Sequence, residues 1–360
     1  MKSVLEVYLL PAYPAEGSHS MDNYWRALME QAAVFERGGV SIQSALGIPP
    51  GQTRRRSRGE RFMGKYLAYP LRAARIARGQ RVHLLDHSFA HLLRFVPKSC
   101  PKLVTVHDLV PLVDGRGLNG GQIARFRKTV ECLRRADRLL AVSRFTAQAL
   151  ETVLSIPAAR IQVIPMGVSV PVELPPRPAP DPSVFRLLSI GSGQARKNLD
   201  LLPEVIAPLI GRGRRLQLVR IGSPLSGDLR ERLGRLLEPQ DLVERGEISV
   251  SAVKEEYRKA GALLFPSTLE GFGLPLLEAM AQGCPVISSN ASSLPEVGGD
   301  AVLYFSPADP LAAAAQVEKL ILSPDLARSL IEAGRQRART FDWAVHAARL
   351  SEVYREMGGY

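Results

Sequence analysis

Six prolines fall between residues 171 and 182: Pro171, Pro175, Pro176, Pro178, Pro180 and Pro182. A segment of that composition is stiff and extended and cannot contribute a packed element. It therefore cuts the chain into two parts that must each bury their own core. Before it, short apolar runs at 4–10, 40–46, 82–85, 103–106, 139–142 and 161–164 alternate with helical patterns such as 21–37. After it the alternation restarts, with strands expected at 185–190, 216–221, around Ile248, and at 262–265, 286–288 and 302–305. Helices are expected at 199–212 and 251–259 and, closing the chain, at 310–322, 325–340 and 343–357. Alternation of this kind predicts α/β architecture: two doubly wound, Rossmann-like domains, each a parallel sheet covered by helices on both faces. The expected boundaries are 1–170, a linker at 171–183, and 184–342. A ligand is expected in the cleft at the carboxyl ends of the strands.

Composition narrows the setting. The 360 residues are 46% hydrophobic, ample for two cores. Cys100, Cys132 and Cys284 are odd in number and far apart, which argues against a disulfide framework or a zinc site and for a reducing compartment. No apolar run approaches membrane-spanning length, and the start, broken by Glu6, reads as a first strand and not as a signal peptide. The expected location is the cytoplasm, peripheral on the inner face of a membrane if the basic segment described below binds lipid. A formal net charge of +12 calls for an anionic partner or reflects a basic proteome.

The stretch with the most chemistry runs from Phe265 to Ile287. An apolar strand ends at Pro266, a loop with Gly271 and Gly273 follows, and Pro275 is expected as the first residue of a helix carrying Glu278. The backbone N–H groups from Gly271 through Phe272 and Gly273 to Leu274 lie at the positive end of that helix, roughly half a unit charge, and suit a phosphate. Glu270 and Glu278 are placed to converge on one ligand, and a ligand with both phosphate and hydroxyl groups satisfies the whole set.

Three further turns are candidates. Ser189-Ile-Gly191-Ser-Gly193-Gln-Ala-Arg196-Lys197-Asn198 pairs two glycines with two cations able to hold a diphosphate, although Arg196 stands where a dinucleotide fingerprint has its third glycine. Leu103-Val-Thr-Val-His107-Asp108 puts His107 and Asp108 just beyond a strand's carboxyl end; Asp108 can equally cap the next turn. The first βα loop carries one useful glycine, Gly17. Residues 54–81 hold ten Lys and Arg against one acid, with Arg54, Arg55, Arg56, Arg58, Arg61, Lys65, Arg72 and Arg75 prominent. Phe62, Tyr66, Tyr69, Ala73 and Ile76 fall on one helical face, and Pro70 should kink or split the helix. This reads as a surface for anionic lipid headgroups or an acceptor, or as a solvated helix. With no recognition motif, nucleic acid is not an expected partner.

Taken together, Phe265–Glu278, Gly283-Cys-Pro-Val-Ile287 and Ser293-Leu-Pro-Glu296-Val resemble glycosyltransferase family 4, the retaining enzymes of the GT-B fold, and particularly its mannosyltransferase members. Further matches run the length of the chain: Val104-Thr-Val-His107-Asp108, Ala136-Asp137, Val142-Ser-Arg-Phe145, Ile164-Pro-Met-Gly-Val168, Arg196-Lys197-Asn198 and Phe341-Asp342-Trp343. The resemblance implies that Arg196 and Lys197 neutralise a donor diphosphate and that Glu278 holds ribose hydroxyls. It implies that Glu270 faces the transferred sugar, with the Gly271–Leu274 amides on sugar and phosphate, and that His107 contacts the sugar near the reacting carbon. Asp108, Gly191, Gly193 and Gly17 join the donor-binding set, Gly17 being what remains of a loop that is glycine-rich in many relatives. The final helix, 343–360, would pack back on the first domain.

The function so implied is hexose transfer, mannose foremost, from a nucleoside-diphosphate sugar (GDP-mannose or a UDP-hexose) to a glycan or lipid-linked acceptor in cell-surface polysaccharide synthesis. No acidic motif is dedicated to a metal, and no cofactor is expected. A nucleotide-sugar epimerase or phosphorylase of the same fold, and a basic glycan- or nucleic-acid-binding protein, are the alternatives.

Overall fold

The computed structural model describes residues 4–13, 19–45, 62–77, 79–116, 118–173, 176–177 and 183–357. Gly17, Arg54, Arg55, Arg56, Arg58 and Arg61 lie outside these residues, as does most of the proline-rich segment.

The chain divides into two compact units, Met1–Gly167 with Trp343–Tyr360, and Val168–Asp342. In the first, β1 (Leu5–Leu10), β2 (Val40–Ser44), β3 (Arg81–Leu84), β4 (Lys102–Val106), β5 (Arg138–Ala141) and β6 (Ile161–Val163) form one sheet in the order β2-β1-β3-β4-β5-β6. In the second, β7 (Phe185–Gly191), β8 (Leu216–Gly222), β9 (Leu242–Glu244), β10 (Ala262–Phe265), β11 (Val286–Ser289) and β12 (Val302–Phe305) take the order β12-β11-β10-β7-β8-β9. Every pairing is parallel. The strands are near-continuous apolar runs because helices cover both faces of a parallel sheet. Leu84, Val104, Val106 and Leu139 centre the first core, and Leu187, Leu218, Leu264 and Ile287 the second.

Three expectations need correction. The strand sought at Ile248 is absent. Gly246 turns the chain at φ +60° and Ser249 caps the helix Val250–Lys259, so the edge strand is β9, a few residues earlier. The helix expected at 21–37 is two helices, His19–Glu30 and Ala32–Arg37, divided at Gln31. In the basic segment the α-helical pattern is interrupted just before Pro70, as expected: a π-helical turn, Gly64–Ala68, runs directly into the α-helix Tyr69–Ile76. The aromatic face is what differs. The wider turn changes the register, so Tyr69 and Ala73 are buried while Phe62 and Tyr66, expected on the same face, are exposed.

The terminal helix Trp343–Glu356 packs in the first unit against the helix Ala32–Arg37 and strands β1 and β2. Gly167 admits its first residue: a Cβ there would stand 2.3 Å from Cδ2 of Trp343, inside the rigid indole. Gly167→Ala should therefore destabilise the protein by about 1–3 kcal/mol, read as a lower urea midpoint at unchanged slope.

Candidate functional site

In the second unit, β7 has β8 on one side and β10 on the other, so the strand order reverses between β7 and β10. Loops leaving the carboxyl ends of such a pair diverge around a crevice, the usual ligand position in sheets of this kind. The loop after β7 brings Arg196 and Lys197, and the loop after β10 brings Glu270. The Glu270 carboxylate accepts from both: Oε2 lies 2.8 Å from Arg196 Nη1 and Oε1 lies 2.6 Å from Lys197 Nζ. Arg196 also donates to the Leu269 carbonyl (3.1 Å) and to Gln194 Oε1 (3.0 Å). Lys197 Nζ stands 5.1 Å from the centre of the Phe265 ring. Burial pulls the Lys197 pKa below the ordinary lysine value, opposed by Glu270. Two cations on one carboxylate leave a net positive charge in a largely buried setting.

Backbone contacts fix the two loops. Thr268 N–H donates to the Arg196 carbonyl (2.7 Å). Asn198, in the left-handed conformation at φ 54°, donates through Nδ2 to the carbonyls of Pro266 (3.3 Å) and Pro307 (3.0 Å). Glu270 N–H donates to Ser292 Oγ (2.8 Å), and Ser293 Oγ donates to the carbonyls of Glu270 (3.0 Å) and Phe272 (2.8 Å). Gly273 precedes the helix Leu274–Ala281 at φ +105°, and a Cβ there would meet Leu294 Cδ2 at 2.6 Å. Pro275 is the second residue of that helix, not its first.

Glu278 has a side-chain partner of its own. Its Oε2 accepts from the Tyr257 hydroxyl (3.2 Å), and burial raises its pKa above the ordinary glutamate value, opposed by that hydrogen bond. Gly191 ends β7, with Gly193 in the following turn, and Gly271 and Phe272 are buried in the loop after β10. Ser292 and Tyr257 carried no signal in the sequence. Only the Ser293-Leu-Pro-Glu296 run was visible, without the role of its hydroxyl.

In the first unit, His107 follows β4 and is 9% exposed. Nε2 lies 2.8 Å from the Leu85 carbonyl. A carbonyl only accepts, so Nε2 carries the proton and Nδ1 the lone pair. Nδ1 is buried with no hydrogen-bond partner among the described residues. Burial holds the ring's pKa below the ordinary histidine value. Asp108 Oδ1 accepts from Val110 N–H (3.1 Å), the local capping role.

Beneath His107 runs a buried chain of hydrogen bonds whose direction is set at one end. His346 Nδ1 must donate to the Pro165 carbonyl (2.7 Å), so its Nε2 accepts from the Tyr24 hydroxyl (3.3 Å). Tyr24 then accepts from Thr105 (3.3 Å), Thr105 from His83 Nε2 (2.8 Å), and His83 Nδ1 from the Tyr354 hydroxyl (2.6 Å). Tyr24 meets the His107 ring edge-on, with ring centres 5.1 Å apart.

Of the basic residues within the described segment, Arg72 donates to the Ala45 carbonyl (2.8 Å), Lys65 lies over the Phe89 ring (4.5 Å), and Arg75 is exposed.

Residues 174–337 match the family model described as glycosyl transferases group 1, and residues 34–170 match that of glycosyltransferase family 4. The chain is 30% identical over 310 residues to MMP alpha-(1->4)-mannosyltransferase of Mycolicibacterium hassiacum, covering 79% of this chain and 74% of that protein. The chain belongs to the family 4 glycosyltransferases. It is also 28% identical to alpha-maltose-1-phosphate synthase of Mycolicibacterium smegmatis, over 71% of this chain and 73% of that one. A solved sucrose-phosphate synthase from Thermosynechococcus elongatus shares the fold at a TM-score of 0.74 and 19% identity, covering 98% and 99% of the two chains. The two doubly wound units are thus those of the GT-B fold.

The histidine chain gives this glycosyltransferase a defined acid response. Burial is the largest cause holding the His83 pKa at about 3 and that of His346 at about 4. The unfolded chain takes up these protons near pH 6.5, whereas the folded chain does not. Their contribution is therefore complete above that pH and is lost as pH falls from about 6.5 through about 4 for His346 and about 3 for His83. Urea unfolding across that range should show stability declining with acid, and His346→Gln should flatten the slope.

Proposed function

We propose that this glycosyltransferase moves a hexose, mannose foremost, from a nucleoside-diphosphate sugar to a glycan or lipid-linked acceptor of cell-surface polysaccharide, with retention at the anomeric carbon and no required metal. The observation that carries the reading is the pairing of Arg196 and Lys197 on Glu270 at the reversal of the second sheet. A departing nucleoside diphosphate gathers negative charge while the anomeric carbon becomes cationic. Fixed cations in a buried setting stabilise that charge without reorganising, the kind of interaction that supplies large rate factors. They also do the work for which a divalent metal is otherwise used.

In this reading Glu270 holds the two cations in register, and Glu278, backed by Tyr257, accepts from ribose hydroxyls. The unpartnered Nδ1 of His107 accepts from a sugar hydroxyl. Retention follows from attack on the same face as the leaving group: the acceptor oxygen bonds to the anomeric carbon as the bond to the diphosphate breaks, and the leaving phosphate oxygen takes the acceptor's proton. Mannose is favoured over glucose by the mannosyltransferase relative, and the base, guanine or uracil, by neither.

The test joins binding and turnover. Either GDP or UDP should stabilise the protein, by about 2.7 kcal/mol at about 100 times its dissociation constant, naming the donor class. Acceptor-dependent release of that diphosphate should persist in EDTA. It should fall by roughly two orders of magnitude or more in Arg196→Ala and in Lys197→Ala, with near-unchanged far-UV spectra. Near-normal turnover in either variant defeats the assignment.

We also infer that the first unit rests on an anionic membrane through the 62–76 segment. Phe62, Met63, Tyr66, Leu67 and Leu71 are exposed there beside Lys65, Arg72 and Arg75, the pairing of apolar and basic groups that interfacial binding uses. No helix among the described residues is long and apolar enough to cross a membrane. The protein should sediment with anionic vesicles at low salt, and Leu67→Asp with Leu71→Asp should release it. Failure to sediment at any salt refutes the surface.

A further inference from the structure

Arg220 lies in the middle of β8, within the apolar run Leu216-Gln-Leu-Val-Arg220-Ile221, and is 1% exposed. A buried guanidinium normally has a carboxylate beside it, because burying an unpaired charge is costly. This one has none in ion-pair contact among the described residues. Its partners are neutral: Ser189 Oγ (3.4 Å) and the carbonyls of Gly191 (2.5 Å) and Ser192 (3.1 Å). Nε is buried without a partner. Glu244, whose charge acts on it without ion-pair contact, is already engaged by Arg230 Nε (2.7 Å) and by Leu225 N–H (2.9 Å).

Those neutral partners are the turn that leads from β7 to Arg196 and Lys197. In a trans peptide the N–H points opposite to the C=O. The Gly191 carbonyl also accepts from Ser223 N–H (3.2 Å). With the carbonyls of Gly191 and Ser192 both turned to the guanidinium, the N–H groups of Ser192 and Gly193 point away from it, and neither has a hydrogen-bond partner within the described residues. The Arg220 charge, lacking an ion-pair partner among the described residues, also reaches Lys197, whose pKa it helps to lower. The crevice is thus short of negative charge by more than Glu270 can supply.

We propose that Arg220 is a positioning residue for the diphosphate of the donor: it aims the Ser192 and Gly193 amides at the anion, and its buried charge is balanced when the anion arrives. The role rests on the donor reading given above. It does not place Arg220 in contact with the ligand.

Arg220→Met, which fills the space without the charge, should weaken GDP or UDP, whichever the wild type binds, about ten-fold or more. Guanosine or uridine, which lack the phosphates, should bind as before. Arg220→Lys, keeping charge but losing the fork, should fall between. Unchanged diphosphate affinity in the methionine variant, or an equal loss for nucleoside and diphosphate, overturns the role, the second outcome meaning that Arg220 only supports the fold. If the methionine variant does not fold, the lysine variant decides: weakening confined to the diphosphates supports the role and its absence overturns it. Failure of the wild type to bind either diphosphate overturns the donor reading itself, and this role with it.

Discussion

Glu270 takes Arg196 on one carboxylate oxygen and Lys197 on the other, and much of the second unit can be understood as what is needed to keep that contact in place. The three side chains come from loops more than seventy residues apart in sequence. They meet because β7 and β10 are neighbours where the sheet changes direction. Around them the supports are short and polar: Thr268 on the Arg196 carbonyl, Asn198 spanning two proline carbonyls, and Ser292 and Ser293 on the backbone of 270–272. Removing one cation would leave a buried carboxylate half-satisfied, and removing the carboxylate would leave two like charges facing each other. The cluster therefore constrains the loops as much as the loops constrain it.

The first unit holds a buried network of another kind, made of neutral groups whose protons are ordered. The Pro165 carbonyl fixes the His346 tautomer, and each hydrogen bond up to Tyr354 then has one allowed direction. The terminal helix supplies two members, His346 and Tyr354, so it contributes polar order as well as apolar contact. His107 sits beside this chain but is not in it. Its tautomer is set independently by Leu85, leaving Nδ1 without a hydrogen-bond partner among the described residues.

The parallel strands were legible because helices cover both faces, which forces unbroken apolar runs such as 103–106 and 262–265. The edge strand β9 was not: its three half-buried residues, Leu-Val-Glu, are too short to make such a run, and Ile248 nearby was a decoy. The register of 62–76 was hidden because a π-helical turn leaves no mark on a helical wheel. At the site, residue types were readable but their partners were not. That Asp108 caps its own next turn was open to local reading, but that Glu278 leans on Tyr257 depends on which helices lie alongside, which local spacing does not encode. Arg220 carried a signal that went unread, a cation inside an otherwise apolar strand.

The return of Trp343–Glu356 to the first unit makes the second an insertion within it. Val168 N–H donates to the Phe341 carbonyl (2.7 Å), and Val168 pairs with Asp342, so the inserted stretch begins and ends at the same place. Once folded, it presents the first unit with a loop already closed, and the entropy of bringing the last helix home has largely been met. During synthesis the first unit must wait for that helix, holding an unfilled face and an incomplete hydrogen-bond chain until Trp343–Glu356 has been made. Removing that helix would thus damage the unit whose strands are built first.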